Sequence, residues 1–257
     1  MYMIETAIEN RVAILRLNRG VSNAINPQLV RSLSQAVAAI ETDPGITALV
    51  LSSSNSKFLS IGFDIPELLE IPREGFARFL EEFDALCLTL LTFPKPVVAS
   101  IPGHATAGGC ILALCCDYRF ISEGRKLMGL NEIKLGVPLP YPADCALRWI
   151  VGARTARDVV DSGEFFLPQE LIRMGLVDQV LPGGELEGKA VEHARTIAGH
   201  AGQAFRKVKK DRVEGLEAEI RLRLVEKERE FVECWYSEAA RASLKEAAGK
   251  FRKPARD

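Results

Sequence analysis

Residues 106–120 read TAGGCILALCCDYRF, a glycine pair followed by an apolar run and a second apolar segment. The run after Gly108 and Gly109 predicts a buried helix that ends near Cys116, and residues 118–121 predict a strand. Glycine at a helix start lets another backbone or a ligand approach closely, where free N–H groups carry the positive end of the helix dipole. A glycine pair alone is more often a packing turn, so its role depends on its neighbours.

The flanking sequence alternates between short apolar runs and helical periodicity. Val12–Leu17, residues 47–52 and Val97–Ile101 predict buried strands. Asn26 followed by proline predicts a helix start, and residues 76–91 predict a second helix. Strands alternating with helices predict an α/β fold with largely parallel pairing.

Beyond Ala143 almost every segment has helical periodicity. We therefore divide the chain into a core, residues 1–199, and a helical C-terminal region, residues 200–257. The last long helix could bury its apolar side on its own core or on a neighbouring subunit. That side carries Leu216, Ile220, Leu224, Phe231 and Trp235.

The composition excludes several classes of protein. With 33 basic and 34 acidic residues in a chain of 257, nothing predicts a nucleic-acid partner. No apolar run reaches the length of a membrane span, and the first residues do not resemble a signal peptide. Most of the six cysteines lie in apolar runs, which predicts buried thiols in a reducing, cytoplasmic compartment, with a catalytic cysteine as the alternative. They show no metal-binding spacing, and we expect no metal and no cofactor.

Two glycine-bearing turns, residues 58–65 and 102–109, each follow a predicted strand and precede a predicted helix. Main-chain N–H groups from two such turns could converge on one carbonyl oxygen as an oxyanion hole. A base would have to lie nearby, and Glu132 lies between apolar residues at a strand end, where burial raises a carboxyl pKa. A surface or capping glutamate is the ordinary alternative.

Three polar residues near these turns have ordinary structural explanations. His104 is expected to be a hydrogen-bonded loop histidine that could touch a ligand. Asp117 is expected to bond nearby backbone, and Asp64 to cap the helix that begins at Ile65 and so to orient the N–H of Phe63 indirectly. Arg19, Lys250 and Lys253 are candidate phosphate partners, although solvated charge is the default.

Eight short motifs follow one another along almost the whole chain. They are Leu17-Asn18-Arg19 with Asn23-Ala24, Ile61-Gly62-Phe63-Asp64-Ile65, Pro94-Lys95-Pro96-Val97-Val98-Ala99, Gly108-Gly109-Cys110, Cys116-Asp117, Glu132-Ile133-Lys134-Leu135-Gly136, Gly175-Leu176-Val177 and Arg252-Lys253-Pro254. This ordered set resembles the enoyl-CoA hydratase/isomerase (crotonase) superfamily. Around the glycine pair and Glu132 it looks most like the mitochondrial-type Δ3,Δ2-enoyl-CoA isomerases.

The resemblance implies a spiral of ββα units followed by a helical trimerisation region, in a homotrimer or a dimer of trimers. It implies an acyl-CoA ligand whose thioester oxygen lies between the N–H groups of Phe63 and Gly108, with Glu132 as the catalytic acid and base. The residues that it places at the substrate are Arg19, Ala24, Ile61, Gly62, Phe63, Asp64, Ile65, Pro66, Gly108 and Ile111.

Within the resemblance, the residue at position 111 separates two reactions. Hydratases of the superfamily hold water between two glutamates, one at the position of Ile111 and one at that of Glu132. A single glutamate instead suits a Δ3,Δ2-enoyl-CoA isomerase of fatty acid β-oxidation, in which one carboxylate moves a proton from C2 to C4. Asp144, and less directly Glu164, are weaker candidate acids, and the proline-rich residues 138–142 leave the acyl pocket undefined. A hydratase, a thioester hydrolase and a weakly catalytic CoA-ester-binding protein remain alternatives.

Overall fold

The computed structural model describes residues 3–200 and 202–251, and all structural statements concern these residues. They form ten strands, nine α-helices and one 3-10 helix, Glu132–Leu135. The strands are β1 (Ile4–Glu9), β2 (Val12–Leu17), β3 (Ala48–Ser53), β4 (Phe58–Ser60), β5 (Val97–Ile101), β6 (His104–Thr106), β7 (Tyr118–Ser122), β8 (Met128–Gly129), β9 (Phe165–Phe166) and β10 (Gln179–Leu181). The helices are α1 (Pro27–Thr42), α2 (Ile65–Leu68), α3 (Arg73–Thr92), α4 (Gly108–Leu114), α5 (Tyr141–Ser162), α6 (Pro168–Met174), α7 (Leu186–Gly199), α8 (Gly202–Trp235) and α9 (Glu238–Phe251).

The strands form two sheets that the chain visits in turn. The larger sheet has the order β1-β2-β3-β5-β7-β10 and is parallel except for the β1–β2 pair. The smaller has the order β4-β6-β8-β9 and is parallel except for β9. Each of the pairs β3–β4, β5–β6 and β7–β8 gives one strand to each sheet before the next helix, which confirms the predicted α/β spiral of ββα units.

Local signals explain where two of the helices begin and bend. The side chain of Asn26 accepts a hydrogen bond from Leu29 N at 2.9 Å, and the proline at the first position suits the start of α1, as predicted. Part of the helical region predicted beyond Ala143 forms the single segment α5. It bends at Gly152, whose φ of +75° is not helical.

The C-terminal helices share the hydrophobic core of the same chain. Leu216, Ile220 and Trp235 are buried, and the rings of Trp235 and Phe76 stack with centroids 4.2 Å apart. The apolar side of α8 is therefore covered by its own chain, which was one of the two alternatives. The predicted division at residue 199 and the predicted subunit interface stay predictions.

Asp117 fastens α8 to the larger sheet. Its carboxylate accepts hydrogen bonds from Val97 N at 2.9 Å, from Lys209 Nζ at 2.6 Å and from Arg212 Nη2 at 2.7 Å. The side chains of Lys209 and Asp117 are only 2% and 5% exposed. Asp117 thus has the structural role expected of it, and it joins elements far apart in the sequence.

We expect Asp117→Asn to lower the free energy of unfolding by about 3–5 kcal/mol, because it leaves the buried ammonium of Lys209 without its counter-charge. Urea denaturation at neutral pH measures this loss. Asp158→Asn is the matched control, since Asp158 pairs with Arg157 on the surface, where an ion pair contributes about 0–1 kcal/mol. Equal losses in the two variants would show that Asp117 does not anchor α8.

Candidate active site

The two glycine-bearing turns touch each other at the carboxyl ends of β4 and β6. Gly62 has a φ of +102°, and a Cβ there would lie 2.8 Å from Ala107 Cβ and 3.0 Å from Gly108 N. A Cβ on Gly109 would lie 2.3 Å from Ser60 O. These positions require glycine because the two backbones leave no space for a side chain.

The close approach leaves two main-chain donors without a protein partner in the described part of the chain. Ile25 N donates to Gly62 O at 2.7 Å, and Asp64 N donates to Ile25 O at 2.8 Å. Phe63 lies between Gly62 and Asp64, and its own N–H makes no hydrogen bond to either segment. Gly108 is the first residue of α4, where N–H groups have no intrahelical acceptor. Its N–H is likewise unpaired.

Both donors border a cavity of about 580 Å³ that lies against the smaller sheet. Five of the predicted site residues line this cavity, and its remaining wall is largely apolar. They are Ile61, Phe63, Ile65, Gly108 and Glu132.

Glu132 supplies an ionisable group to this wall. It follows β8 at the start of the 3-10 helix, is 7% exposed, and its Oε2 has no hydrogen-bond partner. Burial raises the pKa of Glu132 to about 7, although backbone N–H groups of Glu132 and Asn131 act in the opposite direction. This carboxyl group can therefore both release and accept a proton near neutral pH.

His104 lines the cavity at the start of β6 and is hydrogen-bonded, as expected of a loop histidine. Its Nδ1 accepts from Leu127 N at 2.9 Å. Burial lowers the pKa of His104, and the nearby charges of Lys126, Lys57 and Arg125 lower it further. The ring is therefore neutral at pH 7, and sequence reasoning had not singled out these three basic residues near it.

The weaker candidate acids lie outside the cavity wall. Asp144 accepts from Arg148 Nε at 3.0 Å, and Glu164 pairs with Lys134 at 2.5 Å. Each carboxylate already has a cation beside it. Among the three candidate acids, the structure thus brings only Glu132 to the two free N–H groups.

Several residues expected at the substrate occupy other places. Asp64 caps α2 by accepting from Glu67 N at 3.1 Å, as expected. Arg19 is held by Asp64 at 2.7 Å and by Glu67 at 3.0 Å, so it is not a free phosphate partner. Ala24, Gly62, Asp64, Pro66 and Ile111 do not line the cavity, and Ile111 is 1% exposed. Lys253 lies outside the described residues, as does the side chain of Lys250.

Sequence reasoning missed the part of the cavity wall that the C-terminal helices supply. Phe231 and Trp235, from the end of α8, and Ser243, Glu246 and Ala247, from α9, line the cavity. The apolar side of α8 was visible in the sequence, but its partner was not. Nothing in the composition of α9 distinguishes it from an ordinary surface helix.

The sequence model of the family described as enoyl-CoA hydratase/isomerase matches residues 7–252 of this chain. The chain belongs to this family. It is 30% identical to enoyl-CoA delta isomerase 1, mitochondrial, from Mus musculus over 73% of this chain. The match spans 65% of the mouse protein, which is slightly less than two thirds of its length. It is 31% identical to a probable enoyl-CoA hydratase from Bacillus subtilis, over 77% of this chain and 75% of that protein.

Solved structures agree on the fold. The crystal structure of human mitochondrial delta3-delta2-enoyl-CoA isomerase superposes with a TM-score of 0.93 over 97% of this chain and 98% of that chain. Its sequence identity is 23%, so this likeness concerns the fold alone. Relatives at similar identity thus carry both isomerase and hydratase names, and the family does not by itself decide between them.

Two further expectations concern metals and membranes. Among residues 3–200 and 202–251 no cluster of His, Cys, Asp or Glu could hold a metal ion. None of the helices in this part of the chain has the length and apolar character that a membrane span needs.

Five of the six cysteines are buried thiols, as predicted, and Cys234 is half-buried. Burial raises the pKa of Cys87, Cys110 and Cys116, which keeps these thiols protonated and unreactive.

The raised pKa of Glu132 predicts how the free energy of unfolding depends on pH. Between the usual pKa of 4.5 and about 7 the folded protein holds a proton that the unfolded chain has released, so the wild type loses stability as pH rises through this window. Glu132→Gln cannot ionise, and its stability relative to the wild type should rise by roughly 3 kcal/mol between pH 4 and pH 8. Urea denaturation across this range gives the comparison.

Glu164→Gln serves as the control, because Glu164 is exposed and pairs with Lys134. Parallel stability curves for the wild type and Glu132→Gln would show that Glu132 is not a desolvated carboxyl group.

Proposed function

We propose that this protein is an acyl-CoA isomerase that converts a 3-enoyl-CoA to the 2-trans-enoyl-CoA. One observation carries the proposal: a buried carboxyl group, Glu132, shares a cavity with two unpaired main-chain N–H groups, those of Phe63 and Gly108. A relative named as an isomerase, the mouse protein described above, is consistent with this choice.

The mechanism follows from these three groups. The thioester oxygen accepts hydrogen bonds from Phe63 N and Gly108 N, which stabilise the negative charge that develops on it. Glu132 removes a proton from C2, and the electron pair delocalises into the thioester and the adjacent double bond as a dienolate. The same carboxylic acid then protonates C4. The double bond has moved by one position and no atom of water has entered the substrate.

The mostly apolar wall suits this chemistry. Ile111, at the position where the resemblance implies the second glutamate of a hydratase, is buried in α4 and offers no acceptor for water. The net reaction is a proton transfer within the substrate, so the proposal requires neither a metal nor a redox cofactor.

A hydratase is the second candidate, and one observation favours it. Glu246 on α9 also lines the cavity, so a second carboxylate is present although it is not at position 111. Incubation with a 2-trans-enoyl-CoA tests this candidate, because hydration removes the absorbance of the conjugated thioester. If Glu246 holds the water, Glu246→Gln should abolish that loss of absorbance.

We expect Glu132→Gln to lower kcat for a 3-enoyl-CoA by at least about 10²–10⁴-fold, the usual contribution of a general base, while KM changes little. The binding N–H groups belong to the main chain and are untouched, so only the transition state loses an interaction. The appearance of the conjugated thioester measures the rate. Glu164→Gln should retain wild-type kcat, and a Glu132→Gln enzyme of near wild-type activity would exclude Glu132 as the base.

We propose that the protein assembles as a homotrimer or a dimer of trimers. The resemblance to the family motivates this, and exposed apolar side chains, among them Trp149 on α5 and Leu222 and Val225 on α8, offer surface for contacts. Light scattering at micromolar concentration should give a mass of three or six chains. A monomeric mass would contradict it.

A further inference from the structure

Arg19 lies beside the Phe63 turn, and both terminal nitrogens of its guanidinium have acceptors. Nη1 donates to Ala24 O at 2.7 Å and lies 2.7 Å from Asp64 Oδ2, while Nη2 donates to Glu67 Oε2 at 3.0 Å. The Arg19 side chain is 23% exposed. We call these three charged residues, Arg19, Asp64 and Glu67, the Arg19 clamp.

Arg19 links two segments of the chain, the one that contains Ala24 and Ile25 and the one that contains Phe63 and Asp64. Ala24 directly precedes Ile25, and Asp64 directly follows Phe63. Ile25 in turn makes both hydrogen bonds of the bridge, donating to Gly62 O and accepting from Asp64 N. In this parallel bridge Ile25 bonds to the residues on either side of Phe63, so the N–H of Phe63 itself points away from Ile25. The guanidinium of Arg19 contacts both segments next to the bridge and holds them together.

Further hydrogen bonds fix the clamp itself. Asn26 Nδ2 donates to both carboxylate oxygens of Glu67, at 3.0 and 2.9 Å, and the main-chain N of Arg19 donates to Asn23 Oδ1 at 2.7 Å. One cation faces the carboxylates of Asp64 and Glu67, so the clamp has a net negative charge. A phosphate would be repelled unless it displaced a carboxylate from Arg19.

We propose that Arg19 is a positioning residue that orients the Phe63 N–H toward the thioester oxygen, and that it is not a ligand of the CoA phosphates. This inference rests on the function proposed above. The two terminal nitrogens of arginine reach these acceptors from separate positions on a planar fork, whereas a lysine ammonium has all its donors on one atom.

Two thioesters with the same 3-enoyl group separate the two roles of Arg19. One is the CoA ester, and the other is the pantetheine ester, which lacks all phosphates. For Arg19→Lys we expect kcat to fall by about 100-fold on both thioesters, as for a misplaced catalytic group, with KM little changed. Arg31→Gln is the control, because Arg31 pairs with Glu82 on the surface away from the cavity.

The result that overturns the proposal is a rise in KM for the CoA ester alone, with kcat and the pantetheine ester unaffected. That pattern would make Arg19 a phosphate ligand. If Arg19→Lys does not fold, Glu67→Gln removes one carboxylate of the clamp and leaves Arg19 in place. We expect the same loss of kcat on both thioesters.

Hydrogen–deuterium exchange tests the clamp without any activity. The amides of Ile25 and Asp64 are protected by the bridge, so in Arg19→Lys both should exchange at least about tenfold faster while those of β5 stay as in the wild type. Unchanged exchange at Ile25 and Asp64 would overturn the clamp. A wild-type enzyme inactive on both 3-enoyl thioesters would instead overturn the proposed function, and the exchange result would still decide the role of Arg19.

Discussion

The contact between the two glycine turns is the constraint on which the site depends. β4 and β6 are parallel neighbours, so their carboxyl ends meet at the same edge of the smaller sheet. There Gly62 and Gly108 approach so closely that a Cβ on Gly62 would lie 3.0 Å from Gly108 N. Because no side chain separates the turns, the unpaired N–H groups of Phe63 and Gly108 border one cavity. The close packing of the turns and the proposed function therefore need the same glycines, so a packing role and a binding role for the glycine pair are compatible.

Sheet pairing also brings Glu132, the proposed base, to this edge. β8 lies next to β6, and Ala107 N donates to Gly129 O at 2.9 Å, which sets the chain that leads to Glu132 beside the start of α4. The environment of Glu132 is then completed by parts of the chain far away in sequence. Trp235 closes the wall and stacks on Phe76. The end of α8 thus adds aromatic side chains to the cavity wall, and burial raises the pKa of Glu132.

Local patterns predicted the elements whose signals are contained within them. The strand Val12–Leu17 and the start of the helix after Asn26 needed only apolar runs and capping residues. The strands β8 and β9 have two residues each, too short for any periodicity. Arg19 was a candidate phosphate partner, with solvated charge as the default. Its ion pairs could not be predicted, because its two carboxylate partners lie 45 and 48 positions away and only the fold brings them together. The cavity-lining face of α9 could not be predicted for the same reason.

The central claim is that one buried carboxyl group carries a proton across the substrate without exchange with water. A 3-enoyl-CoA with both C2 hydrogens replaced by deuterium, converted in ordinary water and analysed by mass spectrometry, tests it most directly. Transfer by Glu132 predicts a 2-enoyl product in which a substantial fraction keeps both deuterium atoms, one at C2 and one at C4. A product that has lost one deuterium in every molecule, or one that has gained the mass of water, would contradict the account.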